Sequence, residues 1–288
     1  MWTLNLKCLL FSFCVVSSHT LFGQANLHLK YSNSTVFTGI EVGSKGVKLS
    51  IVEIGKNPQA TGAFHILKDS SVNTDFISFT ASTFQATLNG LCGLFHSAIK
   101  SYNIPSSNVF TVISSGVKIQ AEKENKTSMI NNLIDSFRIR IKEPSRTVAV
   151  IDVIEEARLS HLGIVPNNRR YNTFLIDIGS GNTKGGYFPN GNTEYFKLFQ
   201  LSWGTKSVAN ATEKNCEEDK SIQNYKKQLH RVLSAAENSE IIYAVNSSSA
   251  YPVSDNIAFS GGIIWSVATL IYPEMMDMPV VPVTYEQV

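Results

Sequence analysis

Two stretches of this chain place an acid just before a glycine-rich turn between hydrophobic segments. In FLIDIGSGNTKGGYF (174–188), Asp177 leads into Gly179, Ser180, Gly181, Asn182 and Thr183, and Lys184 follows. In FTGIEVGSKGVKLSI (37–51), Glu41 leads into Gly43, Ser44, Lys45 and Gly46. Ile40–Ser44 aligns with Ile176–Ser180, and Lys48 with Lys184, at an offset of 136 residues. A turn of this composition can aim several backbone N–H groups at one point, making a nest for an anion. Its glycines let the backbone approach closely, and its Ser, Asn and Thr side chains add donors. The acid ahead of each turn is unsuited to phosphate by itself. It suits a magnesium ion, or metal-bound water, bridging to phosphate oxygens. One such turn is an ordinary tight β-turn. Two copies, with Gly261-Gly262 opening a helix as a third set of donors, point to a clamp on one phosphate chain.

The elements that must position these turns alternate between strands and helices. Residues 37–54 read as strand, glycine turn and strand, and 60–69 as a further strand. Apolar residues three and four apart (Phe84, Leu88, Leu91, Phe95, Ile99) predict a helix over 82–102, stopped by Ile104-Pro105. A buried strand is expected at 109–113, a helix at 127–142, another buried strand at 147–153, and a helix from near Glu155 to Pro166. The second half repeats the plan, with strands at 173–178, 184–188 and 194–200 and a helix at 217–236. Strands at 241–245 and 257–260 follow, then a helix at 261–271. This is an α/β pattern. It divides into domains at 36–154 and 155–288, with the boundary near 155–172. The chain ends at VTYEQV without a helix to close the second domain, which reads as either a C-terminally truncated fragment or a short version of the fold.

Residues 1–24 read as a secretory signal peptide: Lys7, an apolar run from Cys8 to Val16, then small and polar residues with cleavage near Gly23 or Gln24. The run is too short for a membrane span. A polar tail is expected at 25–35, and the mature protein is expected to be secreted or periplasmic, with no transmembrane span. Net charge is +2, and the signal removes one lysine, so charge gives no ground for nucleic-acid binding. Cys92 and Cys216 remain in the mature chain, too few for a disulfide framework, though they could pair after export. No two histidines fall at metal-ligand spacing and no G-x-S-x-G is present, which leaves metalloprotease and triad-hydrolase readings without support.

Taken together, the two turns resemble the phosphate-1 and phosphate-2 motifs of the actin, sugar-kinase and heat-shock-chaperone ATPase superfamily. Within it, VIDVIEEARLSHLGIV (150–165) followed by FLIDIGSGNT resembles the Ppx/GppA phosphatases, as does NIAFSGGIIWSVATL (256–270). The likeness covers roughly residues 37–272. It implies two ribonuclease-H-like (actin-like ATPase) domains with a cleft between them, and hydrolysis of polyphosphate or a nucleotide polyphosphate. By this resemblance Glu156 is the general base and Glu41 and Asp177 hold Mg2+. Phosphate is bound by Gly43, Ser44, Lys45, Lys118, Gly179, Ser180, Gly181, Asn182, Thr183, Lys184, Gly261 and Gly262. A homodimer is a further expectation.

Four positions depart from the family. Glu41 stands for its aspartate, Lys45 for an asparagine, and Lys184 for the glutamate that closes the second turn. A protonated lysine cannot ligate a metal. Lys118 stands for a phosphate-touching arginine and loses the bidentate fork. Asp152 and Glu155 have capping-box spacing, which would send Glu155 back to the helix start and leave Glu156 for chemistry. Two functions follow. One is a phosphohydrolase. The other is a phosphate- or nucleotide-binding module on the same fold, in which Lys45, Lys118 and Lys184 neutralise an anion without metal. Kinase chemistry is disfavoured for an exported protein, since ATP is scarce outside the cytoplasm.

Overall fold

The computed structural model describes residues 26–248, 254–276, 278 and 280–287. The signal peptide expected at 1–24 lies outside these residues.

The first domain is a sheet covered by helices. Strands β1 (Thr35–Val42), β2 (Gly46–Ile54) and β3 (Phe64–Asn73) form an antiparallel meander. A single turn of helix, α1 (Pro58–Thr61), separates β2 from β3. Helix α2 (Ala81–His96) runs into a π-turn over Ser97–Ser101. Then β4 (Val109–Ile113) pairs parallel to β1. Helices α3 (Ser115–Lys123) and α4 (Thr127–Ile141) lead to β5 (Val148–Val150), parallel to β4. The sheet order is β3-β2-β1-β4-β5. Alternate residues of β1 and β2 (Ile40, Val42, Val47, Leu49, Ile51) meet Leu88, Leu91 and Phe95 of α2 and Leu133 and Phe137 of α4 in one core. This is the inward half of the period-two pattern packing on the period-3.6 stripe.

Helix α5 (Val153–Ile164) joins the domains. The second domain repeats the first sheet through four strands. Strands β6 (Thr173–Ile178), β7 (Thr183–Tyr187) and β8 (Lys197–Leu201) form the meander. Helices α6 (Thr205–Lys214), α7 (Ile222–Ala236) and α8 (Ile242–Ser247) follow. Strand β9 (Asn256–Ser260) then pairs parallel to β6 and feeds helix α9 (Gly262–Ile271). The order is β8-β7-β6-β9. Among the described residues this domain has a thinner core, built on Phe174 and Phe199. His161 is buried at its margin, with its ring edge-on to Phe188 and Phe196. No helix among the described residues is long and apolar enough to cross a membrane.

Several expectations are corrected. Residues 241–245 are not a strand. The chain continues from α7 through a π-turn at Glu237–Ile241 into α8, and Tyr243 is exposed. The β-branched run there lies on a helix already propagating, so tertiary context overrides strand propensity. The strand at 147–153 shrinks to three residues at a sheet edge, with Val150 partly exposed rather than buried. Helices α3 and α6 were not anticipated. The polar tail is tied down: the buried Glu53 carboxylate accepts the Lys30 and Tyr31 N–H groups (2.8 Å each) and the Ser34 hydroxyl (2.5 Å). Cys92 and Cys216 are both buried and both free thiols.

Candidate functional site

The two acid-led turns are built the same way. The first turn closes with Gly43 N–H to Gly46 O at 2.9 Å, the second with Gly179 N–H to Asn182 O at 3.0 Å. In the paired registers Glu41 sits opposite Lys48, and Asp177 opposite Lys184. The two lysines then part company. Lys48 is exposed, whereas Lys184 is buried, because α5 packs across β7.

What α5 brings to Lys184 is Glu156. Asp152 caps the helix by accepting the Glu155 N–H at 2.8 Å. The return half of the capping box is not made, since Arg158 takes both Glu155 carboxylate oxygens, at 2.8 and 2.9 Å. Glu156, one residue on, turns inward. Its Oε1 lies 2.7 Å from Lys184 Nζ, and its Oε2 accepts the Ser115 N–H at 2.9 Å. Lys184 Nζ lies 3.7 Å from Asp177 Oδ2, and Asp177 Oδ1 accepts the Ser260 hydroxyl at 2.7 Å. Burial alone would raise the Glu156 pKa. The Lys184 charge and the hydrogen bonds from Lys184 and Ser115 outweigh it, and the carboxyl is held below its ordinary value.

Glu156 also lines a cleft of about 260 Å³ with Glu41 and Ser114, walled by Val112, Ile151 and Leu159. Glu41 leans toward its own turn: a Cβ on Gly43 would lie 3.4 Å from its Oε1. Ser44 of the same turn abuts the start of α3, where a Cβ on Gly116 would lie 3.3 Å from its hydroxyl oxygen. The first turn, the α3 N-terminus and Glu156 thus share one place. A larger hollow bordered by Lys214, Glu218 and Asp219 shares no residue with it.

The second turn is braced from behind. The N–H groups of Thr205 and Lys206, opening α6, bond the Gly179 and Ser180 carbonyls at 3.1 and 2.7 Å. The Thr183 hydroxyl donates to the Trp203 carbonyl at 2.7 Å, so that donor is committed to the fold. Ser180 and Gly181 remain exposed and Asn182 half-buried. Gly261 packs onto the end of β6 with φ of 105°, where a Cβ would sit 2.1 Å from the Ile178 carbonyl oxygen. No other residue fits there. This close approach brings the Gly262 end of α9 to the second turn.

Two expected phosphate ligands lie outside the Glu156 cleft. Lys45 is exposed and paired with Asp75 at 2.7 Å. Lys118 lies on α3, 4.0 Å from Glu122, and does not line the cleft. Sequence reasoning missed Ser114, Ser115 and Ser260. The signal was present in ISSG (113–116), a strand end followed by small residues, as in FSGG (259–262).

The Lys184 ammonium stands against the magnesium ion implied by the family resemblance, because it sits beside both Glu156 and Asp177. Magnesium is usually held by one or two carboxylates together with phosphate oxygens and water. Among the described residues no three Asp, Glu, His or Cys side chains converge on one point. The nearest approach to such a group, Glu156 with Asp177, has the Lys184 ammonium beside it.

No protein-family model matches the chain, and no curated protein is similar to it. Solved structures are. The Aquifex aeolicus member of the Ppx/GppA family superposes with a TM-score of 0.56 at 18% identity, over 88% of this chain and 73% of that one. An exopolyphosphatase from Cytophaga hutchinsonii gives 0.53 at 16%, over 88% and 74%. The chain therefore has the fold of these Ppx/GppA-family structures, an α/β fold with two sheets, as the sequence resemblance implied.

Proposed function

We propose that this protein is a Ppx/GppA-like phosphohydrolase that releases the terminal phosphate of polyphosphate or a nucleotide polyphosphate. The observation that carries the reading is the position of Glu156. One carboxylate accepts the Ser115 N–H at the α3 N-terminus in the first domain and pairs with Lys184 in the second, and each domain carries an acid-led turn closed by the same backbone bond.

In this reading the turns hold the phosphate chain through backbone N–H groups, and the terminal phosphoryl lies in the cleft beside Glu156. A water oxygen attacks the terminal phosphorus. Its proton passes to a Glu156 carboxylate oxygen, the bridging P–O bond breaks, and the shortened chain leaves with the bond's electron pair. Lys184 and the Ser115 N–H face the charge on the transferred group, the main service a protein gives to phosphoryl transfer. No step is assigned to a metal. Glu156 is ionised at neutral pH, as a base must be, though its lowered pKa makes it a weaker one.

That weakening favours a second reading, a phosphate-binding protein that does not cut. Phosphate release from long-chain polyphosphate separates the two. Hydrolysis predicts release that falls by roughly 10²–10⁴ in Glu156→Gln, the usual worth of a placed base. Release unchanged by that substitution removes Glu156 from the chemistry. Binding with no release leaves the second reading. Export is also part of the proposal: protein recovered outside the cytoplasm should begin just after Gly23 or Gln24, and an intact Met1 would refute it.

A further inference from the structure

The lysine opposite each acid is not required by the hairpin. Lys48 holds the equivalent register in the first turn with its side chain in solvent, and that turn closes with the same backbone bond. Burying Lys184 against Glu156 carries a desolvation cost that the fold does not demand. The position also has a specific chemistry. Glu156 occupies two donors suited to phosphate, an ammonium at 2.7 Å and a helix N-terminal N–H at 2.9 Å. Its carboxylate stands where an anionic oxygen of a ligand would bind. Two carboxylates, Glu156 and Asp177, share the one ammonium, and Glu41 lines the same cleft. An oligophosphate entering beside these acids needs a cation, and the Lys184 ammonium already stands beside both Glu156 and Asp177.

We propose that Lys184 is a built-in cation: it latches Glu156 until an oligophosphate enters, then transfers to the phosphate oxygens and frees the carboxylate, so that binding needs no divalent metal. This rests on the phosphate-site reading above. The four-carbon stem lets the ammonium move between partners without moving the strand. The exchange couples arrival of the ligand to release of the base. Lys184 in this account touches the ligand directly and regulates Glu156 indirectly.

Calorimetric titration of the full chain with inorganic tripolyphosphate, in EDTA and again with magnesium, tests it. The wild type should bind in EDTA. Lys184→Met should bind about tenfold more weakly or worse, the scale of one charge-assisted hydrogen bond. Lys184→Glu should lose binding in EDTA and recover it with magnesium. Glu156→Gln should bind several-fold tighter than wild type in EDTA, because it removes the carboxylate that competes for Lys184. This gain cannot be mimicked by a misfolded variant. Wild-type binding that appears solely with magnesium overturns the inference and leaves the phosphate site standing, as does weaker binding by Glu156→Gln. No binding under either condition sinks the phosphate-site reading and this inference with it.

Discussion

Replacing Lys184 with methionine keeps the length of the side chain and removes its charge. Glu156 would then stay buried with the Ser115 N–H as its remaining hydrogen-bond donor. Removing one partner of a fully buried ion pair costs about 3–5 kcal/mol. Here the side chains are 10% and 19% exposed, and one hydrogen bond survives. The expected loss is therefore about 2–3 kcal/mol, scaled down from the fully buried case. In Lys184→Met/Glu156→Gln the Glu156 charge is no longer stranded, while Asp177 still loses its ammonium neighbour, so part of that loss should return as a coupling energy of about 1–2 kcal/mol. Urea denaturation of the four proteins gives the cycle. Its pH dependence is fixed in sign. The Glu156 pKa is lowered in the folded chain, so the contribution of the pair is full above the ordinary carboxyl value of 4.5 and is lost as pH falls through the folded value. The Lys184→Met deficit should shrink in acid accordingly. A coupling below about 0.5 kcal/mol, the usual scatter of independent sites, would refute the argument that this contact is a real latch.

Two further outcomes follow from the scaffold. Gly261→Ala should destabilise the second domain by about 3 kcal/mol or more, because its backbone conformation is essentially glycine-only and the new methyl meets the Ile178 carbonyl; a melting temperature unchanged from wild type would contradict this. Glu53→Gln should loosen residues 30–34, which hydrogen exchange at the Lys30 and Tyr31 amides would detect, at about 1–3 kcal/mol for the lost charge-assisted bonds. Burial would raise the Glu53 pKa, but the bonds from Ser34, Lys30 and Tyr31, with His65 nearby, hold it below its ordinary value. The stabilisation is thus present at neutral pH and disappears on acidification.

The two hairpins could be read from sequence because their information is local: an acid, a small-residue turn and alternating apolar residues. Helices α2, α4 and α7 were legible for the same reason, since each carries an apolar stripe. Helix α3 was not. Its sequence SGVKIQAEK buries Ser115, Val117 and Ala121 and exposes Ile119, which blurs the stripe. Helix α6 buries Thr212 alone, so its pattern is nearly featureless. The strand predicted at 241–245 failed because the helix before it does not stop. At the site, Glu156 was identified by its neighbours in EEARL, but its contact with Lys184 joins residues on different elements, and no spacing encodes it. The fate of Lys45 was hidden likewise, since Asp75, its partner, lies 30 residues away.

The central claim is that both turns hold one phosphate chain with Glu156 at its end. A crystal structure of the full chain with diimidotriphosphate, whose two bridging nitrogens resist cleavage, tests this most directly. The account predicts phosphate oxygens within hydrogen-bonding distance of the Gly43–Gly46 and Gly179–Asn182 turns. It also predicts that Lys184 Nζ leaves Glu156 for a terminal oxygen. Ligand bound elsewhere, or bound in the cleft with the Lys184–Glu156 contact still at 2.7 Å, would contradict it.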